Sequence, residues 1–214
     1  MKDKESLIRS ISGIGIILVM LSFVYSYNLI YNILFIMIVG SIMGIEWGAI
    51  TNSSKNKNKW TIIGAIYIIT TLLPLFILKT LPDGENILMW LFIIVWSTDT
   101  FAYIVGAKLK LGKHKINAIS PKKSYEGLIG GTIAACIFGY LFASKFLVEY
   151  KCLLLYFTPI LCCIEQASDF TESYIKRKFN VKDSGTIIPG HGGFLDRFDG
   201  FLYTTLFLLL ILNF

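Results

Sequence analysis

Charge is scarce in this 214-residue chain: Asp, Glu, Lys and Arg make up 16% of it, against 55% hydrophobic residues. With a mean hydropathy of +0.66, that balance excludes a water-soluble domain of this size, and plentiful aromatics exclude a disordered one. Histidine is scarcer still. His114 and His191 are the only two, so a histidine-rich metal centre is excluded. Cys136, Cys152, Cys162 and Cys163 lie in apolar runs without C-x-x-C spacing, which argues against zinc and against a disulfide-stapled module and for reduced packing thiols. No small-x-small cleavage pattern follows the first apolar run, residues 7–27, which therefore reads as a span and not as a signal peptide. A G-x-x-x-x-G-K-[ST] phosphate loop, internal repeats and low-complexity linkers are also missing, so a single domain, 1–214, is expected.

What is present is apolar sequence in lengths that fit a bilayer. A hydrocarbon core of about 30 Å asks for about 20 apolar residues per helix. The expected fold is all-α and polytopic, with about seven transmembrane helices near 8–27, 29–50, 60–78, 86–107, 126–144, 150–166 and 199–214. The last is the weakest, because its uninterrupted apolar stretch, 201–214, has 14 residues. With the N-terminus in the cytoplasm, 17 of the 20 Lys and Arg fall on the cytoplasmic side, and Lys79, Lys145 and Lys151 on the other. That asymmetry supports both the count and the orientation. The formal charge of +6 is thus spent on topology and anionic lipid, and no nucleic-acid partner is expected. Two long polar connections, 108–124 and 167–197, share the cytoplasmic face, where the chemistry is expected. Residues 1–85 supply N-terminal helices and 86–214 the catalytic region.

Three stretches carry residues with chemistry. Asp99 sits among apolar neighbours on the fourth span, where a charge costs ~2.5 to 3.5 kcal/mol, so it lines a polar cavity or ties one helix to another. Glu46, beside Trp47 near the inner end of the second span, reads as an interfacial structural residue. In the first connection, Lys113-His-Lys115 and Ser120-Pro-Lys122-Lys123-Ser-Tyr-Glu-Gly127 form either a phosphate cradle or ordinary basic anchoring to anionic lipid. Gly127, Gly130 and Gly131 read better as close helix-packing residues. In the second connection, Asp169, Glu172, Ser173 and Lys176 recur at spacings of three and four, which places them on one side of a helix. Asp196 and Asp199 follow around Arg197, after the glycines at 190, 192 and 193. Carboxylates with interleaved cations suit metal-assisted transfer at phosphorus. Each Asp taken singly reads as a solvated loop ion paired with a neighbouring Lys or Arg; it is their density that favours the metal reading. His191 reads as a hydrogen-bonding loop residue.

Ser173-x-Ile-Lys-Arg177, Lys182-Asp183-x-Gly185 and Ile188-Pro-Gly-His-Gly-Gly193-Phe-x-Asp-Arg-Phe-Asp199 together resemble the signature of the phosphatidate cytidylyltransferase (CDP-diglyceride synthase) family. The 96–112, 120–127 and 169–173 segments look like further shared blocks, so the resemblance covers roughly residues 90–214. It implies that CTP and phosphatidate give CDP-diacylglycerol and pyrophosphate with Mg2+, in a multi-pass protein of the plasma or inner membrane. By similarity Asp169 and Asp196 are metal ligands, with Asp199 and Glu172 next. Lys176, Arg177, Lys182 and Arg197 hold phosphate oxygens, with Lys122 and Lys123 ranked second. Ser173 and His191 belong to the substrate-binding set, and Asp99 lines the cavity. A second metal ion would suit displacement at phosphorus. A lateral lipid opening is compatible with a homodimer, for which no residue argues. The rival readings are a CTP-dependent polyprenol kinase, a CDP-alcohol phosphotransferase, which lacks the Ala-Arg and later Asp pair it needs here, and a transporter.

Overall fold

The computed structural model describes residues 2–109, 111–112, 114–116, 123–190 and 192–212, with side chains from residue 7 onward. Lys122 and His191 therefore lie outside the described residues. Six long helices follow one another: α1 (Lys2–Tyr25), α2 (Leu29–Thr51), α3 (Lys57–Thr80), α4 (Gly84–Tyr103), α5 (Tyr125–Phe146) and α6 (Lys151–Lys178). A π-helical turn, Ile104–Lys108, prolongs α4. A single turn, α7 (Leu195–Phe198), leads into α8 (Phe201–Leu212). No sheet forms among the described residues, only the isolated bridges Lys115 to Ser124 and Ile188 to Gly192.

Among the described residues, six of these helices are long and apolar enough to cross a membrane, and α8, with 12 described residues, follows as the shorter seventh. Many large apolar side chains stay exposed, among them Ile30, Ile45, Ile62, Ile133 and Leu141. In water such a surface would drive aggregation, but against lipid it is the ordinary outer face of a bundle. The chain is a multi-pass membrane protein. Polar turns start the helices: Asn28, Asn56 and Ser124 accept the N–H of Tyr31, Lys59 and Gly127, respectively, which satisfies donors the first helical turn leaves open.

Helix α6 departs from the sequence reading. Hydropathy ends the sixth span at 166, yet the helix continues unbroken to Lys178, about 42 Å in all at 1.5 Å per residue. The extension holds no Gly or Pro, and its side chains pair along the axis, Ser173 with Asp169 and Lys176 with Glu172. It stops at Asn180, whose φ of 57° is left-handed, while Val181 N–H returns to Lys176 O at 3.0 Å. The helix face expected for Asp169, Glu172, Ser173 and Lys176 is thus formed, and it is continuous with the sixth span.

Helix α5 presents a stripe of small residues four apart, Gly127, Gly131, Ala135, Gly139 and Ala143, all buried. Against it lies α4, so close that a Cβ on Gly131 would stand 2.5 Å from Thr98 O, and one on Gly139 2.5 Å from Ile94 Cδ1. Small side chains are what let two membrane helices approach this far. Thr98 then reaches Cys162 Sγ on α6 at 3.2 Å, and Thr205 on α8 donates to Thr71 O on α3 at 3.3 Å. At one end of the bundle Trp47 Nε1 donates to Trp60 O at 2.7 Å, and Trp60 packs edge-on against Phe179 with centroids 4.8 Å apart. That end gathers the last turns of α2, α4 and α6 and the first turns of α3 and α5.

Gly131→Ala should lower stability by about 1 to 3 kcal/mol, because the added methyl meets backbone and not a movable side chain. Gly48→Ala, where nothing lies within 4 Å of the new Cβ, should be neutral or stabilising by up to ~1 kcal/mol. Thermal unfolding midpoints in detergent compare the two directly.

Candidate active site

The C-terminal half of α6 carries Glu165, Asp169, Glu172 and Lys176 on one side, and three other segments converge on it. The first is the chain just before α5, where the Lys123 ammonium pairs with the Asp169 carboxylate and lies 5.1 Å from the Phe170 ring centroid. The second is the end of α4, where the Asp99 carboxyl is within hydrogen-bonding reach of Glu165. The third is the loop and turn at 182–199. There Lys176 Nζ donates to Asp196 Oδ1 at 2.6 Å and to Glu172 Oε2 at 3.3 Å, and the Asp199 carboxyl reaches Glu172.

The Asp196 carboxylate accepts from three donors, one of them Lys176. Its Oδ2 accepts the backbone N–H of Ser184 and of Gly193, both at 2.9 Å, while its own N–H donates to Ser184 Oγ at 3.2 Å. Burial alone would raise this carboxyl, but Lys176 and the two N–H donors outweigh it and hold it below the ordinary carboxylate value. Burial likewise works against charge on Lys123, and Asp169, Glu165 and Asp99 outweigh it, holding the ammonium above the usual lysine value. The loop is tied on its other side by Glu46 of α2, whose oxygens accept from Phe194 N and Leu195 N at 2.8 Å each and from Ser184 Oγ at 3.4 Å.

Two cavities flank Asp99. One, of about 220 Å³, is lined by Tyr103, Lys123, Ser124, Gly127 and Gln166; the other, of about 90 Å³, by Ile16, Met20, Trp96, Asp196, Arg197 and Asp199. The first offers a cation and hydroxyl groups. The second is apolar toward α1 and α4 and charged toward α7. Lys123, Lys176 and Arg197 face six carboxyl groups, those of Asp99, Glu165, Asp169, Glu172, Asp196 and Asp199. Among the described residues carboxyl groups outnumber cations, and Glu172 Oε1 is buried with no hydrogen-bond partner there. Oxygen donors in excess of cations suit a hard divalent ion, although among the described residues no three candidate ligands stand at metal-binding spacing; Lys123 and Lys176 pair with Asp169 and Asp196.

Of the residues expected from sequence, Asp99, Lys123, Asp169, Glu172, Lys176, Asp196, Arg197 and Asp199 come together. Ser173 touches the group only through Asp169, at 3.3 Å. Arg177 turns to Val181 O at 3.0 Å, Lys182 is exposed, and neither lines the two cavities. Sequence reasoning passed over Glu165. The signal was available: a carboxylate in an apolar span, one helical turn before Asp169, costs what Asp99 costs. Gly127, Gly130 and Gly131 abut α4, the last two with Cβ positions 2.6 Å from Val105 and 2.5 Å from Thr98 O.

The sequence profile of the Cytidylyltransferase family matches residues 54–214. A phosphatidate cytidylyltransferase of Rickettsia typhi (strain ATCC VR-144 / Wilmington) is 40% identical over 211 residues, 95% of this chain and 90% of that protein. The chain belongs to the cytidylyltransferase family. A phosphatidate cytidylyltransferase of Rickettsia prowazekii (strain Madrid E) is 39% identical over 95% of this chain and 90% of its own length. One of Staphylococcus haemolyticus (strain JCSC1435) is 37% identical over 172 residues, 76% of this chain and 65% of that protein. The matched region of the family takes in α3 to α8 and every acidic residue of the cluster; Glu46 lies before it.

Within this family member Ser184 and Ser173 make a graded pair. Ser184 is buried and joins Glu46 to Asp196, so Ser184→Ala should lower stability by about 1 to 3 kcal/mol by leaving buried groups unpaired. Ser173→Ala removes one peripheral bond and should cost no more than about 0.5 kcal/mol. Denaturant titration in detergent reads both.

Proposed function

We propose that this chain transfers the cytidylyl group of CTP to phosphatidate, giving CDP-diacylglycerol and pyrophosphate, at the carboxylate and lysine cluster between α6 and α7. The observation that carries this reading is the meeting of Asp196 and Asp199 of the signature segment with Asp169, Glu172 and Lys176 of α6, twenty residues and more away along the chain. An oxygen of the lipid phosphate attacks the α-phosphorus of CTP, the bond from that phosphorus to the β-bridging oxygen breaks, and pyrophosphate leaves. A phosphate monoester is largely dianionic at neutral pH, its second pKa being about 6, so no general base is required. The work of the protein is to place two polyanions together and offset their charge.

Lys123, beside Ser124 and the wider cavity, is suited to triphosphate oxygens, and Lys176 and Arg197 to the charge that develops between the reactants. The narrower cavity, apolar at Ile16, Met20 and Trp96 and charged at Arg197, suits a lipid whose headgroup reaches the cluster while its chains stay in hydrocarbon. Asp169, Glu172, Asp199 and the Oδ1 side of Asp196 would hold magnesium, which supplies charge neutralisation and orientation of the triphosphate when bound. The excess of carboxyl groups over cations among the described residues, with Glu172 Oε1 unpartnered among them, supports that choice. The site opens on the cytoplasmic side, where the excess of Lys and Arg lies and where CTP, which cannot cross hydrocarbon, is available.

Detergent-purified protein given CTP labelled in the cytidine ring should place label in lipid, with γ-phosphate label leaving as pyrophosphate. Chelation should abolish the transfer and magnesium restore it. Asp169→Asn and Asp199→Asn should each lower turnover on the order of 100-fold. Cytidine label that stays in water while γ-label enters lipid would identify a lipid kinase instead.

A further inference from the structure

Glu46 stands apart from the acids considered so far. It belongs to α2, outside the region matched by the family profile, and it is only 2% exposed. A carboxylate buried that deeply is costly unless each oxygen is occupied. Both are, and by one target. Oε1 accepts from Phe194 N at 2.8 Å, and Oε2 accepts from Leu195 N at 2.8 Å and from Ser184 Oγ at 3.4 Å. These donors begin and end the loop that carries Gly185 to Gly193, and Leu195 is fully buried, so no water replaces the carboxylate there. The loop has in turn been shaped to receive it. A Cβ on Gly185 would stand 2.6 Å from Glu46 Oε1, and one on Gly193 2.8 Å from Glu46 Oε2.

From these contacts we infer that Glu46 is a positioning residue for the proposed cytidylyl transfer: from α2 it clamps the backbone of the signature loop and so sets where Asp196 and Arg197 face α6. Ser184 completes the link, its Oγ donating to Glu46 while accepting from Asp196 N at 3.2 Å. Asp196 grips the same loop from inside, through Ser184 N and Gly193 N. Two carboxylates therefore hold one loop, and removing Glu46 leaves the half-buried Phe194 N–H and the buried Leu195 N–H without their acceptor. Gln in its place keeps the size but turns an NH2 toward one of those donors. The inference rests on the function proposed above for the effect on turnover, and on geometry alone for the effect on the loop.

The test uses the whole detergent-solubilised protein with Glu46→Gln, read in two ways. Hydrogen exchange followed by mass spectrometry should show faster exchange at Phe194 and Leu195 while peptides of α4 and α5 keep their protection. Turnover per folded molecule should fall about 10- to 100-fold, with KM for CTP and phosphatidate changed less than about threefold. Glu46→Asp, which keeps the charge one methylene short, should fall between. Turnover within twofold of wild type, or unchanged exchange at both amides, overturns the inference. A uniform loss of protection across the bundle also overturns it, since the role would then be general stability. Should Glu46→Gln not survive purification, the wild-type chain decides: slow exchange at Phe194 and Leu195 supports the clamp, and rapid exchange refutes it. An inactive wild type with both amides protected would sink the proposed function and leave the clamp standing.

Discussion

Lys176 is the hinge of the charged cluster. Its ammonium lies between the carboxylates of Glu172, on its own helix, and Asp196, on a turn that reaches it from the other side. An unpaired charge at this depth would cost several kcal/mol, so neither acid can be kept there without a counter-charge. Once Lys176 is placed, Asp196 is placed. Once Asp196 is placed, its other oxygen gathers Ser184 and Gly193 and the glycine-rich loop has one course to follow. The same logic runs through Lys123 and Asp169, which bring the segment before α5 onto α6.

That electrostatic network needs helices held in register, and apolar packing supplies it. The small-residue stripe of α5 lets α4 come close enough for Asp99 to face Glu165. The continuous α6 spaces Glu165, Asp169, Glu172 and Lys176 along one edge, with no loop flexibility to blur them. Charge therefore gathers where rigid elements end, at one end of the bundle, while the lipid-facing sides stay apolar. Such a division suits two reactants that never share a solvent, a soluble triphosphate and a membrane lipid.

Much of this was legible in the chain. Spans follow from runs of about 20 apolar residues, and the spacing of Asp169, Glu172 and Lys176 already pointed to one helix face. The end of α6 was not legible from hydropathy, because polarity rises at 167 while helical propensity and i, i+4 pairing continue to 178. The role of Glu46 was hidden for another reason. Its partners are backbone N–H groups nearly 150 residues away, and a backbone donor leaves no mark in the amino-acid code. Glu165 was readable and passed over, since no motif frames it. Arg177 was expected at a phosphate by resemblance to the family signature, and its bond to Val181 O is a contact that a motif does not reveal.

The claim on which this account stands is that α6 and the signature turn are coupled through the ammonium of Lys176. A double-mutant cycle of Lys176→Met and Asp196→Asn, measured as unfolding free energy by SDS titration, tests it most directly. The account predicts that the double variant loses less than the sum of the single losses, by about 1 to 3 kcal/mol. Losses that add to within about 0.5 kcal/mol would mean that the two residues act independently, and the cluster as described would not exist.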